Sequence, residues 1–502
     1  MSRAVMGDEA RVGERAAYVR ALAERLESGR SGLIKLAAHE TGLLAAELGP
    51  EFDRCTGTMG QFADFIQRRG LLALAHDRAS TRAIGPGHDI LRTSVPLGTV
   101  AVFGASNFPF AYGVLGGDTV SAIAAGCPVV AKMHPAQPEL SRALASIAAL
   151  AARAVWGRGV TPLGLVEHTD PADLDTPREL LLSGLVHAVG FTGSARAGSS
   201  IARTCAMRPD PILAHCEMGS VNPVFVARAA SAARGAEIGA QLAQSVVLRH
   251  GQQCTRPGLV FVDRSTAGGA ALVRALCDEV SRAPARAMLA PWIAKAYRER
   301  IDSLRGVAGV EVLAQGLDAV AQRRKTSMRT GEAGRTARAI VLGAPGEPLT
   351  AMAGPVPSPA RELLSEEVFG PAVIVVDLAD RLMPGAWVRP SLTWTIYRGG
   401  AGDAKEHRTR TDDRWLERMV RLGLAQSGRV VFDGVPTGVR VCDAMVHAGP
   451  CPATSPPHAT AVGTGAIARW RRPVCLQNAP AGVRASVVSR ATPDASGKGK
   501  KR

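Results

Sequence analysis

The stretch GTVAVFGASNFPFAYGVLGGDTVSAIAAGCPVVAK, residues 98–132, decides how this chain folds. Thr99 to Phe103 is a short apolar run closed by glycine, Tyr112 to Ala125 carries helical spacing, and Pro128 to Lys132 is a second apolar run. The alternation continues through a helix over Glu139 to Trp156, a strand over Leu163 to Glu167 and a helix over Pro177 to Ser183. A strand over Ala188 to Thr192 and a helix to about Ala206 complete it. Strands joined in series through helices pair in parallel with helices on both faces, so the expected class is α/β with a doubly wound parallel sheet. Such a sheet receives ligands at the carboxyl ends of its strands.

Working outward, residues 9–28 space Val12, Ala16, Val19, Ala23 and Leu26 as one face of an amphipathic helix. A second α/β series begins near Val221, with a helix over Ala229 to Leu248 and a strand over Leu259 to Val262. Residues 316–360, rich in Arg, Gly, Pro and Ser, read as an irregular surface insertion. At 502 residues the chain is long enough for two or three domains. It has no apolar run near the roughly 20 residues of a membrane span and no apolar signal core, so no membrane association and a cytoplasmic location are expected. The nine cysteines are scattered without a CxxC pair, which argues against a disulfide framework and a zinc site. The formal charge of +16 is mostly arginine spread along the chain, read as a solvated surface without nucleic-acid binding. The basic cluster Lys498-Gly499-Lys500-Lys501-Arg502 reads as a solvated tail.

Four local patterns carry chemistry, each with a plainer alternative. Gly251-Gln252-Gln253-Cys254-Thr255 sets a cysteine on a loop ahead of a strand, where a thiolate nucleophile or a structural thiol can sit. In His215-Cys216-Glu217-Met218-Gly219-Ser220 an acid ends an apolar strand, Pro211 to Ala214, as a general base or as a surface acid at a turn. Asn107, in Phe103-Gly104-Ala105-Ser106-Asn107-Phe108-Pro109, offers an amide to an oxyanion or serves the turn alone. Gly190-Phe191-Thr192-Gly193-Ser194 runs from a strand into a helix start, which favours a pyrophosphate or is only a tight turn.

In this order, and over roughly residues 10–310 and 362–478, the patterns resemble the aldehyde dehydrogenase superfamily. The resemblance implies that Asn107 is the oxyanion-hole amide, Lys132 the cofactor-ribose lysine, Gly193 and Ser194 the pyrophosphate turn, Glu217 the general base and Cys254 the nucleophile. Glu367-Val368-Phe369-Gly370-Pro371 matches the segment that holds the nicotinamide ribose and ring through Glu367 and Phe369. It also implies a cofactor-binding domain over 1–219, interrupted by a subunit-bridging segment at about 78–96, and a catalytic domain over 220–440. Residues 441–485 would return to the first domain with an oligomerisation strand, 486–502 would be a disordered basic tail, and the molecule would be a homodimer or homotetramer.

A finer likeness is to the α-ketoglutarate semialdehyde (2,5-dioxopentanoate) dehydrogenases. It rests on Val95 to Asn107, Glu217 to Phe225, Pro436-Thr437-Gly438-Val439, Ala444-Met445-Val446-His447, Ala453-Thr454-Ser455 and Arg472-Pro473-Val474-Cys475. It implies oxidation of that aldehyde through a Cys254 thioester, at the end of a sugar-acid or hydroxyproline catabolic route. Where many NAD-preferring relatives have Lys-Pro-x-Glu, this chain has Lys132-Met133-His134-Pro135. No carboxylate repels a 2′-phosphate there, so NADP, with Lys132 and His134 nearby, is expected to serve at least as well as NAD. Gln253 and Arg256 depart from the subgroup pattern and imply a larger polar rim on the aldehyde tunnel; Asp433 and Asp443 depart from it in the carboxyl-terminal loops. The alternatives are an aldehyde dehydrogenase for succinate semialdehyde or an alkanal, a cofactor-free thiol esterase or acyl-binding protein, and an inactive aldehyde-dehydrogenase-like binding protein.

Overall fold

The computed structural model of the protein describes Asp8 and residues 11–69, 74–80, 84–318, 335–345, 359–378, 388–399 and 410–491. Two long helices, α1 (Val12–Thr41) and α2 (Ala45–Arg69), come first and pack on each other. The apolar stripe expected over residues 9–28 continues to Ala37, burying Ala16, Val19, Leu22, Leu26, Leu33 and Ala37. The helix stops where Gly42 turns left-handed, φ 72°, and donates its N–H to the Ala38 carbonyl.

After β1 (Ala75–Asp77) and β2 (Ile90–Pro96) the chain enters the expected doubly wound region. It runs through β3 (Val100–Phe103), α3 (Gly117–Ala124), β4 (Val129–Lys132), α4 (Pro138–Trp156) and β5 (Leu163–Val166), then α5 (Asp175–Leu182), β6 (Ala188–Thr192), α6 (Ala195–Ala206) and β7 (Leu213–Glu217). Among the described residues these strands form a five-stranded, all-parallel sheet in the order β5-β4-β3-β6-β7. The winding reverses between β3 and β6, so their carboxyl ends open a crevice at the switch point. The strand expected over Pro211 to Ala214 is displaced toward Glu217, and the helix expected over Tyr112 to Ala125 begins only at Gly117. Tyr112 is withheld from that helix because its carbonyl accepts from the Ala105 N–H, 2.8 Å, tying the segment back to the end of β3.

The second series holds β8 (Pro223–Val226), α7 (Arg228–Val247), β9 (Leu259–Val262), α8 (Ala267–Arg282), β10 (Arg286–Ala287), α9 (Pro291–Arg305) and β11 (Glu311–Gln315). It continues with β12 (Thr336–Ala337), β13 (Ile340–Ala344), α10 (Pro359–Leu364), β14 (Ala372–Asp377), β15 (Ser391–Tyr397), α11 (Arg410–Gln426) and β16 (Ser427–Phe432). A seven-stranded sheet runs β11-β13-β14-β9-β8-β15-β16, parallel except for the edge pair β11/β13. The expected insertion at 316–360 is therefore corrected in part: β13 is a wholly buried interior strand of this sheet. Its run Ile-Val-Leu-Gly-Ala has no polar alternation because both faces are covered. Residues 319–334 and 346–358 of that segment lie outside the described residues.

The chain then returns to the first sheet. Trp470 enters the core beside β3 and β4 and donates its indole N–H to the Ser121 hydroxyl of α3, 2.8 Å. From it β17 (Arg471–Gln477) pairs antiparallel with β2, giving a three-stranded sheet β1-β2-β17. The disordered tail expected from 486 is corrected as far as Ala491, because α12 (Ala481–Ala491) continues to there; the Lys498–Arg502 cluster lies outside the described residues. The arginines are not all solvated surface either. Arg208, Arg249 and Arg256 are buried and donate to backbone carbonyls. Among the described residues no helix is long and apolar enough to cross a membrane.

Candidate active site

Cys254 sits on the loop between α7 and β9, just after three successive left-handed residues, Arg249 (φ 51°), His250 (φ 53°) and Gly251 (φ 67°). Glycine is required at 251, since a Cβ there would lie 2.3 Å from the Gly370 backbone. The two strained non-glycine residues are held by contacts on either side. Arg249 donates to the Glu51 carboxylate and to the Asn107 carbonyl, both at 2.7 Å, and Asn107 returns its side-chain N–H to the Gln252 carbonyl at 3.0 Å. Asn222, itself left-handed, donates to the Cys254 carbonyl at 2.7 Å and the Arg256 carbonyl at 2.9 Å. Cys254 is thus clamped to the β3 loop on one side and the β8 loop on the other.

Glu217, at the carboxyl end of β7, is buried and accepts from the Thr454 hydroxyl at 2.9 Å. Burial pushes its carboxyl up to about 8, against the opposing pull of Arg469 and Thr454. Burial likewise pushes the Cys254 thiol up to about 12, with Glu367 and Glu217 adding to the rise and Arg54 opposing it. The Cys254 sulfur lies 3.8 Å from His447 Nε2, and the His447 ring stacks on Tyr112 with centroids 6.2 Å apart. Burial and the nearby charges of Arg54, Arg429 and Arg469 push His447 down to about 3, so the ring is neutral at pH 7.

On the other side lie the residues read as cofactor-binding. Gly193 and Ser194 occupy the exposed turn into α6, where Ser194 caps the helix by accepting from the Ala197 N–H. A Cβ on Gly193 would lie 2.5 Å from the Phe191 ring, so the turn needs glycine. A helix start with exposed amides suits a phosphate-bearing cofactor. Lys132, buried at the end of β4, donates to the Met133 carbonyl and to His168 Nδ1, each at 2.9 Å, and burial pushes it down to about 8. His134 differs from its expected part. Burial first, then Lys132 and His168, push it down to about 3, so at pH 7 it offers an adjacent 2′-phosphate no charge, and its ring stacks on Trp292.

Glu367 reaches back toward Gly219, where a Cβ would meet its carboxylate at 2.1 Å, and accepts from the Ser220 N–H; burial pushes it up to about 7. Phe369 packs, half-buried, against the first core. The expected polar rim from Gln253 and Arg256 is not formed. Gln253 is buried and donates to the Leu248 carbonyl, while Arg256, 2% exposed, donates to the Pro257, Val368 and Ala372 carbonyls. Arg256 thus braces the segment that carries Glu367, because a buried guanidinium must find acceptors and the carbonyls of that segment supply them.

The structure therefore gathers Cys254, Glu217 and Asn107 through shared neighbours, with Lys132 and the Gly193 turn on strands adjoining β3. Sequence reading assigned no role to Thr454, His447, Tyr112, Arg54, Asn222 or His168. His447 and Thr454 stood in quoted stretches, but nothing in their spacing ties them to a cysteine some 200 residues earlier.

A model described as the aldehyde dehydrogenase family matches residues 8–328. The chain belongs to the aldehyde dehydrogenase family. It is 37% identical over 469 residues to alpha-ketoglutaric semialdehyde dehydrogenase 2 of Azospirillum brasilense, covering 93% of this chain and 83% of that one. It is 35% identical over 471 residues to alpha-ketoglutaric semialdehyde dehydrogenase of Acinetobacter baylyi, covering 93% and 82%. Among solved structures, an NADP complex of glyceraldehyde-3-phosphate dehydrogenase from Methanocaldococcus jannaschii superposes with TM-score 0.70 at 16% identity, covering 95% of this chain and 91% of that one. Proline utilization A of Bradyrhizobium japonicum superposes with TM-score 0.72 at 19% identity over 95% of this chain but only 44% of that longer one. These two likenesses concern the fold. As a member of the family the protein is an NAD(P)-dependent aldehyde dehydrogenase.

Proposed function

We propose that this aldehyde dehydrogenase oxidises 2,5-dioxopentanoate to 2-oxoglutarate through a thioester on Cys254. The observation that carries the substrate is the likeness, over 93% of the chain, to two relatives named for that semialdehyde. The proton of the Cys254 thiol leaves toward Glu217 through a bridging water, with Nε2 of the neutral His447 ring able to accept a hydrogen bond from the S–H on its own side. The sulfur attacks the aldehyde carbon, and the oxyanion so formed is held by the Asn107 amide and the Cys254 backbone N–H. Bound NAD(P) supplies the hydride acceptor, with Lys132, the Gly193–Ser194 turn, Glu367 and Phe369 as the residues that would hold it. Glu217, ionised, then takes a proton from the water that attacks the thioester; the C–S bond breaks and the acid leaves.

NADP is proposed to serve at least as well as NAD, with Lys132 supplying the positive charge. A homodimer or homotetramer is proposed to form through the β1-β2-β17 sheet. The deciding experiment follows absorbance at 340 nm with NADP and NAD over 2,5-dioxopentanoate, succinate semialdehyde, glutaraldehyde and a medium-chain alkanal, for the native enzyme and Cys254→Ala. The expected result is fastest turnover of 2,5-dioxopentanoate, NADP at least equal to NAD, and no turnover by Cys254→Ala although it still binds cofactor. Preference for another aldehyde discards the substrate, and ordinary turnover by the alanine variant discards the nucleophile.

A further inference from the structure

Arg54, whose charge acts on Cys254 and His447, has no ion pair with an acid among the described residues. Several arginines on and against the first two helices do have one: Arg20 pairs with Asp64, Arg30 with Asp53 and Glu27, Arg249 with Glu51, and Arg286 with Glu47. Among the described residues the Arg54 guanidinium donates to the Tyr112 hydroxyl, 2.6 Å, and lies 5.2 Å from that ring. Tyr112 stacks on His447, whose Nε2 is 3.8 Å from the Cys254 sulfur, so Arg54 stands two side chains from the reacting atom. Arg54 and Tyr112 also line a small pocket whose walls include Met59, Leu115, Val441 and Val462. Apolar walls beside a half-buried guanidinium match the end of a ligand that is apolar along its length and anionic at its tip.

A second charge lies on the same side. Arg429 is held by the Pro436 and Gly438 carbonyls, and its charge acts on Tyr112, His447 and the Cys254 sulfur. Glu367 and Glu217, whose charges act on Cys254, are pushed up by burial to about 7 and about 8.

We propose that Arg54, supported by the charge of Arg429, is the anion anchor of the substrate cleft and selects aldehydes carrying a carboxylate distal to the reacting carbonyl. The inference rests on Cys254 as the reacting group, and it deepens the proposed substrate to a class, the ω-oxo carboxylates. Two measurements on native enzyme, Arg54→Met and Arg54→Lys test it. The first is the ratio of kcat/KM for succinate semialdehyde to that for butanal, an uncharged aldehyde of equal chain length. The second is calorimetric binding of 2-oxoglutarate to the holoenzyme, which remains readable if turnover is lost.

Arg54→Met is expected to lower the ratio and to weaken 2-oxoglutarate binding by ~30-fold each, the scale of a lost charge-assisted pair. Arg54→Lys, keeping the charge without the fork, is expected to fall between. A ratio and an affinity within threefold of native, or equal loss on both aldehydes with unchanged 2-oxoglutarate binding, overturn the anchor and leave Arg54 a brace for Tyr112. Failure of the native enzyme to oxidise any aldehyde is a separate result. It would count against the catalytic reading rather than against the anchor, which the binding measurement reads independently.

Discussion

The charge of Glu217 acts on Cys254, and burial pushes these two acids up to about 8 and about 12, so both are protonated at pH 7. Neither is ready to react at pH 7, so proton removal governs the pH profile. With Glu217 as the base, kcat is expected to rise with pH through about 8, because the carboxylate that activates water is populated only above that value. Glu217→Gln is expected to lose this limb and to accumulate acyl-enzyme, seen by intact-protein mass spectrometry after one turnover; an unchanged limb would assign the titration elsewhere. The same shift makes a stability prediction. A folded-state pKa raised from 4.5 to about 8 means that the native state gains relative stability from this group at low pH and loses it as pH rises through about 8. Glu217→Gln is therefore expected to melt higher than native at pH 9 and to lose that advantage near pH 4.5.

The nucleophile loop shows how one element disciplines another. Residues 249–251 take left-handed conformations that glycine alone adopts at little cost, and the strain at Arg249 is met by its Glu51 and Asn107 contacts. The facing segment, which carries Glu367, is held by Arg256 through the Val368 and Ala372 carbonyls. Arg256→Met should leave those buried carbonyls unsatisfied and cost about 3 kcal/mol in urea unfolding. It should also raise the KM for NADP, because the segment bearing Glu367 and Phe369 is no longer pinned. A loss under 1 kcal/mol with unchanged KM would mean that the segment holds its place without the guanidinium. Arginine in this position is legible in the sequence as a departure, but its direction is not: a side chain beside a nucleophile can line the tunnel or turn into the fold behind it.

At the scale of the molecule, the first helices, the two large sheets and the returning carboxyl-terminal chain are tied by arginines acting on backbone. Arg335 donates to the carbonyls of Glu40, Met288 and Leu289, and Arg471 to those of Ser94 and Ala125. Part of the excess of basic residues is thereby accounted for as internal bracing, since a guanidinium offers five donors to acceptors that strand ends and turns leave unmet. The small β1-β2-β17 sheet leaves the outer edge of β17 unpaired among the described residues, with its side chains exposed or half-buried. An open edge of this kind is a template for strand addition. Light scattering is expected to give twice or four times the mass of one chain, and a single-chain mass at micromolar concentration would remove the assembly proposal.

The alternation from residue 98 onward sufficed for the parallel sheet, its strands and the cleft at their carboxyl ends, because period and punctuation are local properties of the chain. The order of Asn107, Lys132, Gly193, Glu217, Cys254 and Glu367 was enough to resemble a family. What only the tertiary structure decided are the contacts between residues far apart in the chain. Thr454 meets Glu217, His447 meets Cys254, and Arg54 meets Tyr112 across separations that no window spans. Burial was decided there too, placing β13 inside a sheet and Arg256 behind the nucleophile. Whether a group lies in water or in the fold sets both its ionisation and its partners, and that depends on the packing of the whole chain.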